Sequence, residues 1–130
     1  MKVRTALIAL SALLLLGTAR AASPAPETVL ITFHPKRGSE QALAEVIARH
    51  WAVARRLDLV LDAPHVTLRG MDGGGNAYIV EVLTWRDAAI PDSAPKPILE
   101  LWDQMNALVE SREGRPGLAF GEVHLLSSGR

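Results

Sequence analysis

One glutamate stands in the middle of the most apolar strand-like segment of the chain: Glu81, within Ala77-Tyr78-Ile79-Val80-Glu81-Val82-Leu83-Thr84-Trp85. A carboxylate in such surroundings is costly unless it is paired or wetted, and burial would lift its pKa towards neutrality, where a general base works well. The adjoining segment offers Arg69 as a cross-strand partner, and a structural Glu81–Arg69 ion pair is the simplest alternative to catalysis. His34 has the chemistry of a base or a ligand-orienting donor, although a histidine directly before proline at a strand end is most simply exposed. Arg69, Trp85, Phe120, Glu122 and His124 complete the groups able to line a pocket or touch a ligand. Glu122 with His124 falls short of a metal centre, which needs three or four ligands and an orienting shell, so no metal is expected. His65 ranks lower because it opens its strand, His50 reads as a hydrogen-bonded core residue, and Trp51 and Trp102 read as packing.

The elements that must position these groups follow from periodicity. Thr28 and the β-branched, aromatic run 29–34 form a strand closed by Pro35. Gly38 and Ser39 supply a turn and an N-cap, and Leu43, Val46, Ile47, His50, Ala54 and Leu57 recur at spacings of three and four, which predicts an amphipathic helix over 40–57. Residues 65–69 alternate with period two and residues 77–85 make a long central strand. Between them, Gly73-Gly74-Gly75 invites comparison with a phosphate cradle. A strand follows it, however, where a cradle needs a helix start, so a flexible hairpin is expected. A second helix runs from Pro97 to about residue 113, with Ile98, Leu101, Trp102, Met105, Leu108 and Val109 as its inner stripe, and residues 118–126 return as the last strand.

The first residues have the form of an export signal: Lys2 and Arg4, an apolar run of about eleven residues from Ala6, and small residues at Ala19 and Ala21. That run is shorter than the roughly 20 residues of a permanent span, so cleavage after Ala21 and a periplasmic or secreted product, without membrane attachment after cleavage, are expected. Residues 22–27 read as a linker, 28–126 as one domain and 127–130 as a tail. With no cysteine, neither a lipid tether nor a disulfide is available. The remaining chain carries eleven basic and fourteen acidic groups, which argues against nucleic acid as a partner.

Strand, helix, strand, strand, helix, strand is the split β-α-β order of an α+β, ferredoxin-like domain: a four-stranded antiparallel sheet with both helices on one face. Placing Leu30, Val66, Leu68, Val80, Val82, Val123 and Leu125 under the helices leaves Ile31, Phe33, Ile79, Leu83, Trp85 and Phe120 on the open face. Such a face is too apolar to stay wet, so a homodimer packed through its sheets is expected.

In this order of elements, in Val82-Leu83-Thr84-Trp85-Arg86-Asp87 and in Pro97-Ile98-Leu99-Glu100-Leu101-Trp102, the chain resembles the dimeric α/β-barrel superfamily, and within it the antibiotic biosynthesis monooxygenase-like domains. The resemblance implies two subunits closing their sheets into a barrel and a pocket for a small apolar or aromatic molecule. It further implies oxygenation without metal or flavin, in which the substrate becomes a carbanion that passes an electron to dioxygen while the protein supplies a base and a dry cavity. Haem-degrading members use an Asn of the first strand, a Trp and a helix His; this chain has Trp85, but no Asn in 29–34 and no His between Trp85 and Glu113. Three readings stay open: a cofactor-independent monooxygenase-like enzyme, a non-catalytic ligand-binding module, and a dimeric interaction module. In the interior of the dimer, an enclosed cavity touching Glu81 and Trp85 favours the first two and tight side-chain packing the third.

Overall fold

The structure, a computed structural model, describes residues 25–127; the expected export signal and residues 22–24 and 128–130 lie outside them. The elements run β1 (Glu27–Phe33), α1 (Glu40–Arg56), β2 (Val66–Met71), β3 (Ala77–Trp85), a short 3-10 turn (Ile90–Ser93), α2 (Lys96–Leu108) and β4 (Leu118–Glu122). The four strands form one antiparallel sheet in the order β2-β3-β1-β4, with both helices packed on the same face, so the architecture is α+β and ferredoxin-like.

Helix α1 forms where apolar residues return every three or four positions, and Leu43, Val46, Ile47, His50 and Ala54 are buried along that stripe. Glu40 in its first turn and Arg55 and Arg56 in its last complement the helix dipole. Ser39 sits at the N-cap without a side-chain capping bond, and its carbonyl accepts the first helical bond from Leu43. Asp58, in the left-handed region at φ 57°, ends the helix and turns the chain back. Leu61 N–H then donates to the Thr84 carbonyl and Arg86 N–H to that of Leu59, tying this return to the end of β3.

Helix α2 stops at Leu108, short of the residue 113 expected from its stripe. Val109 is extended and bridges to Pro35, and Glu110 N–H donates to the His34 carbonyl, so the apolar positions after Leu108 belong to a strand-like junction. The last strand also ends early, at Glu122, while Leu125 and Leu126 are exposed. β2 extends through Gly70 and Met71, which narrows the hairpin to a turn where Asp72 Oδ1 accepts from Gly74 and Asn76 N–H at 2.9 Å each.

The sheet faces are the reverse of the expected ones. Phe33, Ile79, Leu83 and Trp85 are buried beneath the helices, whereas Val66 and Leu68 are exposed and pair with Val82 and Val80 on the open face. The reason lies at Glu81, which shares its parity with Ile79, Leu83 and Trp85. A central carboxylate is costly to bury, and here its burial is accommodated by a histidine and a bordering cavity.

Candidate functional site

Between the sheet and the helices lies a cavity of about 520 Å³, within the range of about 300–1,000 Å³ usual for small-molecule sites. Val29, Ile31 and Phe33 form its floor on β1, Glu81 and Trp85 border it from β3, His50 from α1 and Trp102 from α2. These residues meet because the inward parity of β1 and β3 faces the inner stripes of both helices. Phe120 and Glu122 of β4 lie at its rim, Phe120 being 74 % exposed.

Two polar side chains within this apolar lining are fully buried: His50 at 1 % exposure and Glu81 at 0 %. Trp102 Nε1–H donates to His50 Nε2 at 3.0 Å, which leaves the proton of the neutral imidazole on Nδ1. Burial, with a smaller contribution from nearby His65, lowers the His50 pKa to about 4, so the ring is neutral at physiological pH. Trp85 packs edge-on against both rings, 6.0 Å from His50 and 6.2 Å from Trp102, and holds their planes.

Burial pushes the Glu81 carboxyl up to about 8. Its Oε2 lies 3.2 Å from His65 Nε2, and the His65 pKa is lowered by partial burial and by Arg55, so near neutrality the contact is a hydrogen bond between uncharged groups. His65 lies flat on Trp51, with ring centroids 3.6 Å apart and planes within 6°. His50 Nδ1 and Glu81 Oε1 have no hydrogen-bond partner among the described residues, one a donor and the other an atom that accepts a proton when the carboxyl ionises.

The residues singled out from sequence divide between places. Glu81, Trp85, Phe120 and Glu122 border the main cavity. Arg69 is not Glu81's partner: it pairs with Glu40 of α1, Nη2 to Oε2 at 2.6 Å, because α1 passes over that end of β2. His34 borders a separate recess of about 280 Å³ with Asp72, Tyr78 and Arg112, and its ring lies 3.2 Å from the Pro116 carbonyl. His124 lies on the exposed terminal segment, 3.5 Å from Glu122. From sequence, His65 ranks low and His50, Trp51 and Trp102 read as core or packing residues, not as site residues. For His50 and Trp102 the legible signal was a polar-tipped ring on each inner helical stripe; His65 carried none, since its pairing with Glu81 depends on strand register.

The fold and the cavity together define a ferredoxin-like domain with a pocket between helices and sheet that opens beside β4. Scans against protein-family models and against curated proteins give no match. Among solved structures, the chain is similar to SnoaB, a cofactor-independent oxygenase from Streptomyces nogalater, with TM-score 0.59 and 21 % identity over 79 % of this chain and 95 % of that one. Rv0793 from Mycobacterium tuberculosis is similar at TM-score 0.56 and 16 % identity, over 82 % and 100 % of the two chains. A protein described as an antibiotic biosynthesis monooxygenase follows at TM-score 0.56 and 15 % identity, over 77 % and 98 %. The chain thus has the fold of the antibiotic biosynthesis monooxygenase-like proteins.

Proposed function

We propose that this chain is an exported, dimeric, cofactor-independent monooxygenase-like enzyme acting on a small aromatic molecule with an acidic C–H or phenolic O–H. The observation that carries the reading is the pair of unpartnered polar atoms, Glu81 Oε1 and His50 Nδ1, on two buried side chains bordering one apolar cavity. Buried polar atoms are normally satisfied, so a donor and an acceptor without partners on side chains that border one cavity suit a ligand that presents the complementary pair.

Ionised Glu81 takes the substrate proton at Oε1, and His50 Nδ1–H donates to the oxygen on which the resulting enolate charge gathers. Because its pKa lies at about 4, His50 donates as a neutral imidazole and keeps its proton. The electron-rich substrate then reduces dioxygen by one electron, the resulting radicals join as a peroxide, and loss of water leaves a new carbonyl. One oxygen atom enters the product and the other leaves as water, so the substrate supplies all the electrons. The apolar walls keep bulk water from the radical pair.

Dimer formation is part of the proposal. Val66 and Leu68, 44 % and 59 % exposed, combine with Leu30, Val80 and Val82 in an apolar strip on the open sheet face, suited to a second copy. Export rests on the signal-like first residues alone. The test is oxygen uptake by the purified chain, without added metal or flavin, on a panel of polycyclic phenols and enolisable aromatic ketones. Turnover abolished by Glu81→Gln is expected; turnover equal to wild type in that variant overturns the role of Glu81.

A further inference from the structure

We propose that His65, clamped on Trp51, carries protons between the buried Glu81 carboxyl and bulk water, and so acts as a positioning and proton-carrying residue for the base. The inference rests on the reading of Glu81 as a base and adds the route by which that base exchanges its proton.

A fully buried carboxyl cannot exchange protons directly with solvent. Glu81 is 0 % exposed, and among the described residues the one side chain hydrogen-bonded to it, through Oε2, is His65, whose side chain is 23 % exposed. The histidine therefore spans the boundary between interior and water. Its orientation is fixed by the stack on Trp51, and Arg55, whose guanidinium lies 6.0 Å from the Trp51 ring centre, covers that ring further. Among the described residues, Arg55 and His50 on α1 couple electrostatically to His65 and Glu81 on β3 bonds to it, while Asp62, in the segment before β2, pairs with Arg55 at 2.9 Å and offsets part of its charge. Arg55 disfavours a lasting positive charge on the ring, as a carrier that must release its proton requires.

The proton sequence balances. Near neutrality Glu81 holds a proton on Oε2 that donates to His65 Nε2, while Nδ1 of His65 carries the other ring hydrogen. Transfer from Oε2 to Nε2 makes a transient imidazolium, which loses its Nδ1 proton to water. What remains is the Glu81 carboxylate, accepting from His65 Nε2–H at Oε2 and open at Oε1 to take one proton from substrate. Tautomer exchange of His65 with water and a half-turn of the carboxyl return the pair to its starting form. Glu81 thus uses one oxygen towards the cavity and the other towards the exit.

The experiment needs no substrate. After a rapid jump from pH 6 to pH 10, infrared spectroscopy follows the loss of the protonated-carboxyl band, assigned to Glu81 by its absence in Glu81→Gln. In His65→Gln, which keeps a hydrogen-bonding side chain but cannot carry a proton, the band is expected to decay about a hundredfold more slowly, with recovery on adding imidazole. Trp51→Leu is expected to fall between the two. Decay in His65→Gln as fast as in wild type, or slow decay that imidazole leaves unchanged, overturns the relay. Failure of the enzymatic reading would instead appear as absent oxygen uptake alongside normal His65-dependent decay.

Discussion

The indole of Trp102 donates to Nε2 of His50 at 3.0 Å, and this single bond decides which nitrogen of a buried imidazole carries the proton. Trp102→Phe removes the donor while keeping much of the ring's bulk. His50 Nε2 then becomes a buried acceptor without a partner, at a cost of about 1–3 kcal/mol. Nitrogen-15 NMR should find the wild-type ring protonated at Nδ1 and a mixture of tautomers in the variant. A ring already mixed in the wild type would contradict the donor role assigned to Nδ1.

Stability should report the two buried titratable groups with opposite signs. Glu81, raised to about 8 from 4.5, holds its proton in the folded chain where the unfolded chain has lost it, so its linkage lowers stability as pH rises across that interval. His50, lowered to about 4 from 6.5, is protonated only in the unfolded chain between those values, so stability is lost as pH falls through them. The slopes oppose one another between 4.5 and 6.5, with lowered His65 adding to the acid-side loss, and Glu81 dominates above. Urea unfolding should therefore weaken by about 1 kcal/mol from pH 6.5 to 8 in wild type and not weaken in Glu81→Gln. An unchanged alkaline slope in the variant would mean that the carboxyl titrates normally.

The open sheet face gives a contrast between two substitutions. Leu68→Asp changes an exposed residue outside the helix-packed core, so the subunit should keep its circular dichroism while the proposed dimer gives way to monomer on sedimentation. Trp85→Asp instead places a charge at a site 3 % exposed within the core, and the whole fold should be lost. A Leu68→Asp dimer as stable as wild type would remove this face as the interface.

Element order was legible because each segment satisfies its period locally: α1 begins at Glu40 and β3 spans Ala77–Trp85, as their patterns require. The facing of the sheet was not, because both parities of β1 and β3 are largely apolar and period two alone does not say which of them meets the helices. The burial of Glu81 depends on His65, sixteen residues earlier, and on a cavity assembled from five strand and helix segments. Arg69 misled in the same way: two residues from Thr67, which lies opposite Glu81 in the ladder, it turns instead to Glu40 on the helix above. Termini of elements failed where tertiary pairing overrode periodicity, as at Val109, drawn into a bridge with Pro35.

That junction has its own prediction. The guanidinium of Arg112, only 14 % exposed, donates through Nη1 to the Ala77 carbonyl at 2.7 Å and through Nη2 to the Pro35 carbonyl at 3.0 Å, joining the start of β3 to the exit of β1. Asp72 and Glu110 lie 3.8 and 3.6 Å from it and balance its charge. Arg112→Met fills the same space but leaves two partly buried carbonyls without donors, so a loss of about 2–4 kcal/mol is expected in denaturant unfolding. Arg112→Lys should recover only part of it, because one ammonium cannot reproduce the planar fork that reaches both carbonyls at once. Full recovery with lysine would mean that charge balance with Asp72 and Glu110, rather than the two-pronged bond, holds the junction together.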